Sequence, residues 1–176
     1  SNNGDVTDIY YPKVSSQSEG PFPMALLLQG GRVDKQYYSK FSSSLASYGF
    51  IVIVPNHYAG FSFPGYEGEG LFSEVTQLDD TIEFMKAENL RMNSPINGIV
   101  DTSTLVALGH SYGSATIISA IQNRCDYPFC QEQDSYQRPA ELKAVALSGI
   151  ATRPFFDPDH IGVQPTDNQN MPIAIF

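Results

Sequence analysis

Short, continuous apolar runs alternate along the chain with stretches in which apolar residues recur every three or four positions. A continuous run is typical of a strand buried on both faces of a sheet, whereas the second spacing is typical of one face of a helix. The predicted elements are strands over 24–28, 50–54, 104–108, 142–147 and 172–176, and helices over 35–48, from 73 to about 90, and directly after residue 113. The helix over 35–48 is predicted to present Tyr37, Phe41, Leu45 and Tyr48 on its apolar face.

The segments between these elements are predicted to be irregular. The polar first twenty residues leave room for a short edge strand near residues 9–14. Residues 56–72 are rich in glycine and aromatic side chains, and we expect a loop that could fold over a site. Ser73 is predicted to cap the helix that follows, with Glu74 in its first turn. Residues 152–170, rich in proline and aspartate, are predicted to form another loop.

This order of elements indicates an α/β fold. Buried strands that alternate with helices predict a mostly parallel, doubly wound sheet with crossover helices. In such a sheet the loops after the carboxyl ends of the strands are free to build a functional site. With 176 residues, the chain is expected to form a single domain over residues 1–176.

Composition and charge exclude several classes of function. The chain carries 10 Lys and Arg against 19 Asp and Glu, a net charge of −9, which argues against nucleic-acid binding because phosphate recognition needs a basic face. No apolar run approaches the roughly 18 residues of a transmembrane helix, so no transmembrane segment is predicted. No arrangement of Cys and His suggests a metal site, and no cofactor is expected.

The two cysteines, Cys125 and Cys130, stand close together in the sequence Cys-Asp-Tyr-Pro-Phe-Cys. They are either two reduced thiols or a local disulfide that closes a loop after a helix. Pro128 and the absence of other cysteines favour the disulfide. A disulfide would indicate an oxidising compartment, so the predicted location is secreted or periplasmic.

The motif Gly109-x-Ser111-x-Gly113 is the main candidate for chemistry. It lies between an apolar strand and an amphipathic helix, which is the setting of a nucleophile elbow, where a sharp turn exposes the serine hydroxyl. Small residues on both sides of the serine let the strand and helix cross closely. The competing interpretation is an ordinary glycine-rich turn with a helix-capping serine. We predict the elbow, with Ser111 as nucleophile.

A second glycine-containing turn, Gln29-Gly30-Gly31-Arg32, follows the strand over 24–28. Glycines allow backbone N–H groups to approach a substrate oxygen without obstruction by side chains. We therefore predict an oxyanion hole made by the N–H of Gly31, or of Arg32, and the N–H of Tyr112 directly after the serine. A simple turn is the alternative interpretation.

The stretches Met24 to Arg32, Tyr37 to Asn56 and Leu105 to Ala115 together resemble the α/β-hydrolase superfamily. The similarity is to the branch that holds dienelactone hydrolases, platelet-activating-factor acetylhydrolases, chlorophyllases and cutinase-like polyester hydrolases. It implies the α/β-hydrolase fold and a lipase-like serine esterase without a metal or cofactor. Gln29 departs from the pattern, since many members carry His before the glycines. That leaves the backbone donors in place but changes what braces the loop.

The resemblance also implies the chain order nucleophile, acid, histidine, with the acid after the strand over 172–176. The chain ends before the usual positions of both partners. We therefore expect it to be the N-terminal part of a longer polypeptide, incomplete at the C-terminus, whose C-terminal remainder supplies the triad acid and His. A local pairing of Asp157 or Asp159 with His160 is the alternative. His110, inside the motif, is expected to be structural and to point toward the sheet.

The expected activity is cleavage of a small-molecule or lipid-like carboxylic ester through an acyl-enzyme on Ser111. Candidates for substrate-lining residues are Arg32, His57, Tyr58 and Phe61. The aromatic residues of the segment 56–72 form either an apolar substrate pocket or a core beneath a loop. Two other functions remain open: a non-catalytic binding module with this fold, and a serine hydrolase that cleaves amide or peptide bonds.

Overall fold

A mostly parallel sheet runs through the centre of the molecule. The computed structural model describes residues 5–13, 20–63, 66–131, 135–149 and 167–176. In chain order the strands are β1 (Val6–Tyr10), β2 (Phe22–Leu28), β3 (Ile51–Asn56), β4 (Tyr58–Phe63), β5 (Tyr66–Leu71), β6 (Val100–His110), β7 (Leu142–Ser148) and β8 (Ile173–Ile175). The α-helices are α1 (Ser39–Ser47), α2 (Gln77–Leu90) and α3 (Tyr112–Ile121).

Six of the strands in the described part of the chain form one sheet in the order β1-β3-β2-β6-β7-β8. Strand β1 lies antiparallel to β3 at one edge, and the other pairs, from β3–β2 to β7–β8, are parallel. The predicted doubly wound, mostly parallel sheet is therefore confirmed. The carboxyl ends of β2 and β6, which precede the two glycine motifs, are adjacent because these strands pair directly.

Apolar side chains of the central strands pack alternately on the two faces of the sheet. In β2, Met24, Leu26 and Leu28 belong to the larger core, whereas Ala25 and Leu27 belong to a second core on the opposite face. Strand β3 divides in the same way. The larger core includes residues of α2 and α3, and the smaller one includes residues of α1. Continuous apolar runs predicted strands of this kind because both faces are covered.

Helix α1 buries a different face from the one predicted. The segment begins with a 3-10 turn over Lys35–Tyr38, and Ser42 and Ala46 of α1 are fully or almost fully buried. Tyr37, expected on the buried face, is 76% exposed, and Phe41 and Tyr48 are also exposed. Small side chains lie against the sheet here because they allow the helix to approach it closely, which outweighs the burial of larger aromatic residues.

Most of the segment 56–72 forms the two strands β4 and β5 of a β-hairpin, so the predicted loop is wrong. Strands β4 and β5 pair antiparallel with Phe61 opposite Gly68 and Ala59 opposite Gly70. Tyr58 is 71% exposed, whereas Ala59 and Phe61 are buried, which is the alternation of a strand with one solvated face. The glycines hid this alternation because they have no side chain and a low intrinsic preference for strands.

Ser73 does not cap a helix, contrary to the prediction. Helix α2 begins at Gln77, and the capping position, Thr76, makes no side-chain capping hydrogen bond. The Ser73 Oγ instead lies 2.9 Å from the Thr116 Oγ1 of α3, and both side chains are buried. A buried hydroxyl requires a partner, and α3 supplies one across the core.

Cys125 and Cys130 form a disulfide, as predicted, with their Cα atoms 4.9 Å apart. The short loop that it closes reaches the start of α3. Tyr112 donates a hydrogen bond from its hydroxyl to the Pro128 carbonyl oxygen at 3.1 Å, and the Phe129 ring packs on the Tyr112 ring. The disulfide loop thus supports the residue that directly follows Ser111.

Among the helices of the described residues, none has the length and apolar character needed to cross a membrane.

Replacing Thr116 by Val tests the buried hydroxyl pair. We expect the free energy of unfolding to fall by about 1–3 kcal/mol, because the Ser73 hydroxyl would lose its partner in the core. Urea denaturation measures the change. The double variant Ser73→Ala with Thr116→Val removes both hydroxyls, and it should be no less stable than the single Thr116→Val variant. A wild-type midpoint for Thr116→Val would contradict the contact.

Candidate active site

Ser111 lies in a strained turn between β6 and α3. Its φ of 52° and ψ of −113° are far from helix or strand values, and α3 begins at the next residue, Tyr112. The Ser111 N–H donates to the Ser148 carbonyl oxygen at 2.8 Å, which joins the turn to the end of β7. A residue other than glycine in this sparsely populated backbone region costs about 1–3 kcal/mol, and such residues cluster at functional sites.

The two glycines of the motif allow the strand and the helix to cross at close range. A Cβ at Gly109 would lie 2.6 Å from the Ser114 Cα, and a Cβ at Gly113 would overlap the Leu28 carbonyl oxygen. The Gly113 N–H also donates to the Gln29 carbonyl oxygen at 3.0 Å. The start of α3 is therefore packed directly against the carboxyl end of β2.

Gln29 braces the loop that follows β2. Its buried side-chain amide donates from Nε2 to the Pro55 carbonyl oxygen at 2.5 Å and to the Asn56 Oδ1 at 3.1 Å. The Asn56 Oδ1 also accepts from the Lys35 backbone N–H at 2.9 Å, and its Nδ2 donates to the Asp34 Oδ2 at 2.8 Å. The loop is thus joined through Gln29 to the end of β3 and to the 3-10 turn.

The three N–H groups after Gln29 differ in their hydrogen bonding. The Gly30 N–H donates to the Tyr38 hydroxyl oxygen at 3.0 Å, and the Arg32 N–H donates to the Leu71 carbonyl oxygen at 2.7 Å. No described residue accepts a hydrogen bond from the Gly31 N–H. A Cβ at Gly31 would lie 3.5 Å from the Tyr112 Cβ, so this residue is next to the start of α3.

Four aromatic rings pack together beneath the hairpin. The Phe61 and Phe72 rings stack with centroids 4.6 Å apart, and both contact the Tyr112 ring, at 5.7 and 5.2 Å. Phe129 from the disulfide loop completes this cluster at 5.1 Å from Tyr112. Burial raises the pKa of the Tyr112 hydroxyl well above its usual range. Phe61, predicted as a substrate-lining candidate, is therefore a member of a packed core.

His57 is held between two carboxylates. Its Nδ1 lies 2.9 Å from the Asp5 Oδ2 and its Nε2 lies 3.2 Å from the Glu74 Oε2, with all three side chains mostly buried. Burial lowers the pKa of His57, but the hydrogen bonds and negative charges of Asp5 and Glu74 outweigh it and raise the pKa to about 9. His57 is thus a positively charged link between the chain before β1 and the segment before α2.

The remaining predicted residues are distributed as follows. Arg32 and Tyr58 are exposed near the hairpin, and the Arg32 side chain is close to Gly70. His110, expected to be structural and to point toward the sheet, is exposed and lines a groove of about 250 Å³ together with Leu27, Leu108 and Ala146 of β2, β6 and β7. Asp157, Asp159 and His160 lie outside the described residues. The described ranges contain no group of three His, Cys, Asp or Glu side chains that could hold a metal ion.

Sequence reasoning missed Tyr38 and Asn56. Tyr38 lies in a helix predicted from apolar spacing, and Asn56 opens a segment predicted as a loop from its glycines and aromatic residues. Neither signal carries information about a hydroxyl or an amide. A polar residue directly after a buried strand was the available indication for Asn56, because parallel strands end at the site-building edge of the sheet.

Comparison with known proteins identifies one matching family model. Residues 11–128 match the model described as chlorophyllase. Two chloroplastic chlorophyllase-1 proteins, from Citrus unshiu and Citrus sinensis, are each 29% identical over 103 residues. These matches cover 58% of this chain and 30% of each relative, so the chain spans about a third of their length or less.

A solved structure of esterase B from Lactobacillus rhamnosis, inhibited by a tributyrin phosphonate, is also similar. The TM-score is 0.47 at 18% sequence identity, and the match covers 81% of this chain and 43% of that chain.

Replacing Gly113 by Ala tests the close crossing. The added methyl group would overlap the end of β2, so we expect a loss of about 3 kcal/mol in the free energy of unfolding. Gly60→Ala is the matched control, because a Cβ there would meet only the Gln131 side chain, at 3.6 Å. Thermal and urea denaturation of the two variants should differ clearly. Equal stabilities would show that the crossing is looser than described.

The link made by His57 predicts a stability that depends on pH. Because its pKa is raised from 6.5 to about 9 on folding, the stabilisation is complete below pH 6.5 and is lost as the pH rises through 9. We expect the free energy of unfolding to fall by about 3 kcal/mol between pH 6 and 9.5. His57→Gln should be nearly insensitive over this interval in urea titrations. Parallel curves for both proteins would rule out His57 as the cause.

Proposed function

The chain belongs to the chlorophyllase family, and we propose that it carries the nucleophile of a serine hydrolase that cleaves carboxylic esters. The observation that carries the proposal is the strained Ser111, at φ 52°, between two glycines that leave no room for a Cβ. Strain of this kind persists only where the surrounding structure holds it, and it presents a serine hydroxyl above the sheet in a nucleophile elbow.

In the proposed mechanism, the Ser111 Oγ attacks the ester carbonyl and forms a tetrahedral intermediate. The N–H groups of Gly31 and Tyr112 stabilise the negative charge on its oxygen. The proximity of Gly31 to Tyr112 supports this pairing, and so does the use of the Arg32 N–H by the hairpin. The alcohol then leaves, and water hydrolyses the acyl-enzyme. The amino terminus of α3 favours the developing charge.

The general base in this proposal is a histidine outside the described residues, oriented by an acid that is also outside them. The described histidines are engaged elsewhere. Both ring nitrogens of His57 contact carboxylates, and the His110 Nδ1 contacts the Tyr38 hydroxyl at 2.8 Å. We propose that the C-terminal remainder of the same polypeptide supplies the acid and the histidine, in the order that the α/β-hydrolase resemblance implies.

The proposed substrate is a small-molecule or lipid-like ester. Two relatives are chlorophyllases, and the hairpin that presents the exposed Tyr58 packs through Phe61 on Tyr112, the residue directly after Ser111. The disulfide between Cys125 and Cys130 supports a location outside the reducing cytosol.

Labelling with a fluorophosphonate probe tests the nucleophile. On the protein at its natural length, we expect the probe to modify Ser111, as read by intact mass and peptide mapping, and to abolish hydrolysis of a p-nitrophenyl ester. Ser111→Ala should not be labelled, and its kcat should be at least about 10³-fold lower than that of the wild-type protein. Without its nucleophile the site retains only the contributions of binding and the oxyanion donors.

Ser114→Ala is the matched control, since Ser114 is buried three residues further along and donates to the Ser148 carbonyl oxygen. It should still be labelled. A p-nitroanilide substrate tests amide cleavage, and its hydrolysis by wild-type protein but not by Ser111→Ala would show that the activity extends to amides. An unlabelled, inactive wild-type protein would instead indicate a non-catalytic binding module.

A further inference from the structure

Tyr38 connects the two loops that carry the proposed reaction. We infer that its hydroxyl acts as a positioning group, which holds the Gly30–Gly31 backbone and the Ser111 turn in register so that the oxyanion donors face the reacting carbonyl. The inference rests on the proposed function. It assigns a role in that reaction to a residue that lies outside both glycine motifs.

Two hydrogen bonds meet at the Tyr38 hydroxyl, and the direction of the one from Gly30 is fixed. The Gly30 N–H is 3.0 Å away and can only donate, so the hydroxyl oxygen is its acceptor. The hydroxyl proton is then available for the His110 Nδ1, 2.8 Å away. In this arrangement a neutral His110 carries its own proton on Nε2. One side chain thereby bonds to the residue before Gly31 and to the residue before Ser111.

Tyr38, His110 and the Gly30 backbone pack so closely that a shift of one of them would displace the others. A Cβ at Gly30 would lie 2.9 Å from the His110 Nδ1, so the imidazole rests directly on the Gly30 backbone. The Tyr38 and His110 ring centroids are 5.9 Å apart, with the rings tilted by 59°. The Tyr38 ring itself packs against the smaller core on the α1 face. A rigid element of the fold therefore sets the position of the hydroxyl.

Other contacts attach each loop to its surroundings without using Tyr38. Gln29 attaches the first loop to β3, and the Ser111 N–H attaches the second to β7. The Gly113–Gln29 backbone bond joins the two loops directly. That bond holds the carbonyl end of the Gln29–Gly30 peptide, and the Tyr38 hydroxyl holds the N–H end of the same peptide. The next peptide, which carries the Gly31 N–H, is attached by the hydrogen bond from the Val33 N–H to the Gly30 carbonyl oxygen at 3.0 Å. The Tyr38 hydroxyl therefore fixes the peptide from which the Gly31 donor extends.

Loss of the Tyr38 hydroxyl is expected to raise the free energy of the transition state more than that of the bound substrate. The negative oxygen forms only during attack, and its donors must lie about 2.7–3.1 Å from the position that it takes. A small rotation of the Gln29–Gly30 peptide would displace the adjoining Gly31 N–H, which weakens this donor and leaves ground-state binding unchanged. Removal of the hydroxyl should therefore lower kcat and leave KM nearly constant.

The experiment compares Tyr38→Phe with Tyr37→Phe in the protein at its natural length, using p-nitrophenyl ester hydrolysis. Tyr37 is the adjacent tyrosine of the same 3-10 turn and is 76% exposed, so it controls for loss of a hydroxyl as such. We expect Tyr38→Phe to lower kcat about tenfold, with KM within about twofold. Tyr37→Phe should retain wild-type values. Far-UV circular dichroism and Tm verify folding.

A second pair of variants tests the bridge from its other end. His110→Asn keeps an acceptor near the position of Nδ1, whereas His110→Phe removes it. We expect His110→Asn to retain most of the kcat and His110→Phe to lose about as much as Tyr38→Phe. Combining Tyr38→Phe with His110→Phe should add little further loss, because both changes remove the same bridge. This pair also decides the question if Tyr38→Phe does not fold.

The outcomes separate the two proposals. If wild-type protein hydrolyses the ester and is labelled at Ser111, but Tyr38→Phe keeps its kcat, the positioning role is wrong and the proposed function stands. A different result would assign Tyr38 a purely structural role. In that case Tyr38→Phe would lower Tm together with kcat, and its loss of kcat would be fully additive with that of His110→Phe. If the wild-type protein neither reacts with the probe nor hydrolyses the ester, the proposed function fails and the inference fails with it.

Discussion

The close approach of the α3 amino terminus to the carboxyl ends of β2 and β6 is the constraint on which the site depends. Gly109 and Gly113 make it possible, because a Cβ at either position would collide with neighbouring backbone. At this distance Gly113 bonds to the carbonyl of Gln29, and Ser111 is forced to a positive φ. The candidate nucleophile and the candidate oxyanion loop are therefore parts of one packed unit, since neither can shift without displacing the other.

The strain at Ser111 is balanced by contacts that converge on its neighbours. Tyr112 is held by the aromatic cluster and by its hydrogen bond to Pro128, inside the loop that the disulfide closes. The Ser148 carbonyl oxygen accepts hydrogen bonds from the Ser111 N–H and from the hydroxyl of the buried Ser114, and the Ser148 N–H donates to that hydroxyl. These are tertiary contacts of the start of α3, and they supply free energy of the size needed to offset a strained backbone.

Gln29 braces the loop after β2 although it departs from the residue pattern of the resembling branch. Where many α/β-hydrolases of the resembling branch carry His, the amide of Gln29 reaches the end of β3 through Pro55 and Asn56. A neutral amide makes this brace without a titrating group, so the loop's attachment at this residue does not change with pH. His57, by contrast, is a pH-sensitive link between the segment before β1 and the segment before α2.

Some of these features could be predicted from residues alone. The apolar runs at 24–28 and 50–54 specify strands buried on both faces, and Gly109-x-Ser111-x-Gly113 specifies a tight strand-to-helix turn, because in each case local residue types limit what the backbone can do. The hairpin, the partner of Ser73, the buried face of α1 and the bridge made by Tyr38 could not be predicted in this way. Each depends on which distant group lies within about 3 Å of a side chain, and that distance exists only after the strands have paired and the helices have packed.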